Sequence, residues 1–124
     1  MIILNDNRFS DERFYNASTL EDISNSQNNS TIIFEYNEKN LDLYKFCFTN
    51  NIDYGVEITT LKELIFISNL GAKYAFCSIQ NASSLQKFAD NYLINTKIIV
   101  KSDISNIEKI ANQEIDGIFI SKGE

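Results

Sequence analysis

Five short apolar segments recur along this chain, and their spacing restricts the folds open to it. STIIFEYN, NIDYGVEIT, GAKYAFCSI, NTKIIVKSD and EIDGIFISK follow one another at intervals of about 20 to 23 residues. Each interval carries apolar residues at helical spacing, so the repeating unit is a strand followed by a helix. Consecutive units of that kind build a parallel sheet. The runs TIIF, KIIV and GIFI are continuously apolar, as suits strands covered on both faces. With MIIL as a further strand, the pattern predicts an α/β fold of six βα-type repeats, with a mostly parallel sheet and about five helices. No linker divides the chain, so one domain is expected over residues 1–124. Two architectures fit: a truncated (β/α) barrel and an open doubly wound sheet. A complete eight-stranded barrel needs about 200 residues or more, and the chain has 124.

Local signals mark the helices. Ser18 with Glu21, Thr60 with Glu63 and Ser105 with Glu108 have capping-box spacing, and Asn40 is placed to cap a helix carrying Leu41, Tyr44 and Phe48. Gly71 stands where a left-handed terminator is wanted. Leu61, Leu64, Ile65 and Phe66 are expected to face inward on one helix, and Leu85, Phe88, Ala89 and Tyr92 on the next. Ile104, Ile107, Ile110 and Ala111 mark the buried side of the last. The stretch NDNRFSDERFYN reads as a long polar loop. Cys47, inside LDLYKFCFT, reads as core.

What the chain lacks narrows its chemistry. It has no histidine, which excludes within the chain a His general base, a His-activated nucleophile or a His-ligated metal. Two cysteines cannot make a four-thiolate zinc site in one subunit. Four glycines, two of them inside strands, leave no Gly-rich phosphate loop, and no cofactor is expected. The net charge of −6 with scattered lysines argues against a nucleic-acid surface. The opening MIILNDNRFSDER is too short in its apolar run for a signal peptide, and no stretch approaches the roughly 18 apolar residues of a membrane span. A cytoplasmic protein with reduced thiols is expected.

The candidate site follows from the repeat. Laid under one another, the units put Glu35, Glu57, Cys77 and Lys101 in one column near the C-terminal ends of their strands, where parallel α/β folds hold ligands. Arg8 and Arg13 lie in the loop after the first strand, which is expected to open on the same end. With Lys101 and Lys122 they would supply cations for a small anion, arginine being suited to carboxylates and phosphates by its forked donors. Asp6, Asp11 and Glu12 in that loop offer themselves as partners for the arginines. A second reading of the column is an ion pair, Lys101 with Glu57 or Glu35, sealing the end of the sheet. A third is catalytic: Lys101 as a Schiff-base nucleophile with Glu57 or Glu35 as acid/base. Cys77, without a histidine to activate it, reads as a buried thiol.

Two family resemblances rest on these segments. YGVEITTLKELIFISNLGAKYAFCS, continued by NTKIIVKSDISNIEKIANQEIDGIFI, resembles the strand–helix–strand run of 2-keto-3-deoxy-6-phosphogluconate aldolases over roughly 70 residues. That likeness implies a (β/α) barrel and a strand-borne Schiff-base lysine, which would fall within GIFI. Here Phe119 and Ile120 stand in its place, and the family's Phe-Pro phosphate turn is missing. MIILNDN, Glu57 and Lys101 are similar in placement to the acidic strand end, phospho-acceptor and strand-five lysine of receiver domains. That likeness implies a degenerate regulatory module with strand order 2-1-3-4-5.

The expectation from sequence is a non-catalytic βα-repeat domain that binds a small anion or a protein partner at the C-terminal end of its sheet and forms a homodimer. The alternatives are a small lyase or aldolase using Lys101, and a receiver-like domain.

Overall fold

The computed structural model describes residues 1–121 and contains one parallel sheet. Its strands are β1 (Ile2–Leu4), β2 (Arg13–Asn16), β3 (Ser30–Glu35), β4 (Tyr54–Glu57), β5 (Tyr74–Cys77), β6 (Lys97–Ser102) and β7 (Gly117–Ile120). Their spatial order is β2-β3-β4-β5-β6-β7-β1, and every pairing is parallel. Helices α1 (Leu20–Ser24), α2 (Leu41–Thr49), α3 (Leu61–Asn69), α4 (Ile79–Asn91) and α5 (Ile107–Asn112) follow β2 to β6 in turn.

This order decides between the two expected architectures. A doubly wound sheet reverses direction at a switch point, but here each strand lies beside its successor from β2 to β7. Right-handed crossovers then place every helix on one face, and the sheet curls as a half-barrel. The degree of curl can be read from side chains. In a flat sheet β2 and β7, five strands apart, would be separated by roughly 24 Å at 4.8 Å per strand. Yet the rings of Phe14 on β2 and Phe119 on β7 are 5.1 Å apart, edge to face. Nor is the receiver order 2-1-3-4-5 the one observed.

Two apolar layers result. On the outer face, Ile32, Phe34, Tyr54, Val56, Ile98, Val100 and Ile118 pack beneath the helices against Tyr44, Cys47, Leu64, Ile67, Leu85 and Ile110. On the concave face, Leu4, Ile33, Tyr74, Phe76, Ile99 and Phe119 form a second cluster, joined by Ile2 and Phe14. Glycine makes room for it: a Cβ on Gly55 would lie 2.5 Å from the Phe76 ring, and one on Gly117 only 2.6 Å from the Ile2 carbonyl oxygen.

The structure corrects several expectations. Strand β2 lies within the stretch read as a loop; it is an edge strand of four residues whose ends are exposed, so only Phe14 and Tyr15 signal it. The first helix is capped by Thr19 with Asp22 rather than by Ser18 with Glu21. Asn37 caps a 3-10 turn, Glu38–Asn40, that leads into α2, and Asn40 makes no capping bond. Asp103 does the same for Ile104–Asn106 ahead of α5, in place of Ser105 with Glu108. Thr60 accepts from the Glu63 N–H as expected, although Glu63 returns its bond to Thr59, and Gly71 is left-handed at φ +83°. On α3, Ile67 is buried with Leu64, while Leu61, Ile65 and Phe66 stay exposed; Tyr92 is exposed as well. These helices bury a narrower stripe than expected.

Candidate functional site

The strand carboxylates of the expected site come together because register places them side by side: Glu35 pairs with Glu57 across β3 and β4. Alternation along each strand sends both to the concave side, two residues beyond Ile33 and Gly55. Lys101, two beyond Ile99 on β6, points the same way, and its ammonium donates to Glu57 Oε1 at 2.7 Å. The ammonium also lies 5.4 Å from the centre of the Phe119 ring. Both side chains of the pair keep about a third of their surface, 29% for Lys101 and 38% for Glu57. In that setting the pair contributes about 1 kcal/mol or less. The Glu35 carboxylate is exposed and bonds to no other described residue.

These three line a cleft of about 630 Å3 at the C-terminal end of the sheet, with Asn16, Asn37, Asn40 and Asp22 among its other walls. The Asp22 carboxylate is already taken by Ser18 and Thr19 at the start of α1. What the cleft offers a ligand is therefore one free carboxylate, a second shared with lysine, and several carboxamides. From sequence Asn40 reads only as a helix cap and the other two asparagines carry no signal, since nothing in their spacing tells a cleft wall from a turn.

Cys77 borders a small hollow with Glu57 and Lys101, but its side chain is turned away from theirs. In the true register Glu57 stands opposite Phe76, one residue before the position assigned by laying the repeats together. A one-residue slip reverses the face, so the Cys77 side chain sits in the outer core. Burial pushes its thiol up to about 12, and that of Cys47 to about 11. On β7 the register sets Phe119 opposite Lys101, so Phe119 lies on the concave side, under the lysine.

The arginines lie elsewhere. Arg8 is exposed and grips Asp6, with Nη2 to Oδ2 at 2.7 Å and Nε to Oδ1 at 3.0 Å. It borders a separate hollow beside Asn5, Asp103 and Ile120. Arg13 begins β2 and so lies at the N-terminal end of the sheet, donating to Gln27 Oε1 at 3.1 Å. Lys122 lies outside the described residues.

A second polar centre was not expected. Residues 5–12 leave the top of β1, where the Asn5 amide donates to the Ile120 carbonyl, and descend the concave side to the foot of β3 and β5. There Glu12 accepts from Thr31 at 2.5 Å, from the Tyr74 hydroxyl at 2.7 Å and from Lys73 at 3.2 Å. Burial alone would raise the Glu12 pKa, but these three bonds and the Lys73 charge together hold it below its usual value. The Tyr74 hydroxyl is shifted upward, by burial first and by Glu12 second. The sequence reading had Glu12 as a partner for an arginine; its true partners lie far along the chain and give no local signal.

Among the described residues no helix is long and apolar enough to cross a membrane, and no three Cys, Asp or Glu side chains are grouped to hold a metal ion. The chain matches no protein-family model and no curated protein sequence.

Proposed function

We propose that this is a non-catalytic binding domain that takes a small polar ligand into the cleft at the C-terminal end of its curled sheet, with Glu35 and Glu57 as the recognising groups. The observation that carries this reading is the in-register pair of carboxylates, served by a single cation that is already bonded to one of them. Such a cleft favours ligands with ammonium or hydroxyl donors, because a charge-assisted bond to a carboxylate is stronger than a neutral one. The small anion expected from Arg8, Arg13 and Lys101 has less support: Arg8 is held by Asp6, Arg13 is at the other end of the sheet, and Lys101 is held by Glu57. Nucleic acid is disfavoured by the net charge of −6. A cytoplasmic setting fits the two unpaired, buried cysteines. A homodimer belongs to the reading as well, favoured by large apolar side chains left at the surface.

The test is a titration followed by amide chemical shifts, with diamines and amino sugars in one panel and inorganic phosphate and 2-keto acids in the other. Amines are expected to move the amides of Glu35, Glu57 and Lys101. Glu35→Gln is expected to weaken that binding about tenfold, the loss of one charge-assisted bond. Shifts produced at these residues by the anions alone would reverse the ligand class, and shifts confined to other surfaces would remove the site.

The 2.7 Å contact between Lys101 and Glu57 also supports an enzymatic reading, in which Lys101 forms a Schiff base with a carbonyl substrate and Glu57 moves the proton. The Lys101 ammonium is engaged by Glu57 rather than open to a carbonyl substrate, so the binding reading is preferred. Borohydride reduction in the presence of 2-keto acids is expected to leave the mass of the protein unchanged. A stable adduct mapped to Lys101 would reverse that preference.

A further inference from the structure

The outer surface of the helix layer carries a groove of mixed apolar and polar lining, about 600 Å3, between the C-terminal halves of α3 and α4. Ile65 lines one wall, Phe88 and Ile94 the other, and Tyr92 and Leu93 stand at its rim, with serine and asparagine completing it. Leu93 is the unusual residue. It keeps 86% of its surface exposed and has φ +54°, a region that L-residues other than Asn and Asp rarely enter. Among the described residues the other non-glycine positions in this region are Asn5, Asn29, Asn51 and Glu114, all polar. The left-handed turn closes α4, the Ile94 N–H bonding the Ala89 carbonyl at 2.9 Å; glycine or asparagine fills that place at less cost, and the leucine side chain itself stays in solvent. Tyr92, beside it, is 70% exposed and stacked on Phe88 at 4.5 Å.

We propose that this groove is a two-fold interface between two copies of the chain, with Leu93 and Tyr92 of each copy seated in the groove of the other. Three observations favour a second copy. The face is self-complementary, since a protruding leucine and tyrosine adjoin a recess lined by Ile65 and Ile94, and a two-fold contact requires each surface to match itself. No charged residue lines the groove, so two chains that each carry −6 meet here without direct repulsion. The area is also sufficient. Phe48, whose ring packs over Gly71 at the end of α3, extends the patch to α2. With it, Ile65, Tyr92 and Leu93, which are 37–86% exposed, present on the order of 450 Å2 of mostly apolar surface, at roughly 150–250 Å2 for each large side chain when fully exposed. A standard interface of about 800 Å2 per partner, some 60% of it apolar, needs about that much.

The experiment is sedimentation velocity on the full chain from micromolar to millimolar concentration, beside the variants Leu93→Asn and Tyr92→Ser/Leu93→Asn. Asparagine tolerates the left-handed backbone, so Leu93→Asn is expected to keep or raise the thermal stability of the monomer while weakening self-association about tenfold or more. The double variant is expected to be monomeric throughout. A wild-type monomer at every concentration would overturn the proposal and leave the groove to a different chain. A dimer that survives the double change would overturn it too, by placing the interface elsewhere.

Discussion

Phe76→Ala is expected to cost about 3–5 kcal/mol, the range for removing a fully buried aromatic ring, and to lower the thermal midpoint by more than about 10 °C. Phe76 is 0% exposed. Its ring lies 5.8 Å from Tyr74, 5.5 Å from Phe119 and 6.4 Å from Phe14, so it sits at the centre of the concave layer. The size of the loss depends on curl. Were the sheet flat, this face would be open on the side away from the helices, and the ring would lose little by truncation. Phe9→Ala, at a residue 56% exposed, supplies the comparison and is expected to change stability by about 0.5 kcal/mol or less. Chemical denaturation of both variants checks the pair; a Phe76→Ala loss as small as that of Phe9→Ala would contradict the curled sheet.

Glu12→Ala is expected to destabilise the fold by about 2–3 kcal/mol, because it strands the hydroxyls of Thr31 and Tyr74 around an empty acceptor site. It also frees a point that pins residues 5–12 to the concave foot of the sheet. The charge of Glu12 has its own signature. Its folded pKa lies below the ordinary 4.5, so its contribution to stability is complete above that value and is lost as pH falls through the lower folded one. Glu12→Gln keeps the shape and an acceptor without the charge. Urea midpoints across the acid range are expected to fall less steeply for Glu12→Gln than for wild type; parallel curves would show that the Glu12 contacts do not hold in solution.

Much of the fold was legible because it is periodic. Runs such as TIIF and KIIV, separated by helical spacing, report parallel strands; their order in the chain leaves the spatial order open, and the observed pairings decide it. Edge strand β2 escaped because four residues with exposed ends bury too little to leave a pattern, and Arg13 and Asn16 make it look like loop. The caps shifted by a residue or more at Thr19, Asn37 and Asp103 because short polar residues crowd each helix start, and sequence does not say which one adopts the extended backbone. The site was half legible. Glu35, Glu57 and Lys101 were found by laying strand under strand, which works where register and repeat length differ by an even number of residues. At β5 they part by one residue, which puts Cys77 in the outer core and Phe76 on the concave face; at β6 they part by one more, which returns Lys101 to the concave side. Contacts made by the 5–12 segment link residues some 19 and 62 positions apart; no periodicity encodes them, so Glu12 stayed hidden, and Arg8 and Arg13 were given a common end they do not share.

The central claim is that the carboxylates at the C-terminal end of the sheet recognise a ligand. A crystal structure of the protein grown with the tightest-binding amine of the titration tests it most directly. The expected result is ligand density in the cleft, with a nitrogen within hydrogen-bond distance of Glu35 and Lys101 still on Glu57. Ligand density elsewhere on the surface, with Glu35 left in open solvent, would contradict it and reduce the Lys101–Glu57 pair to a brace at the end of the sheet.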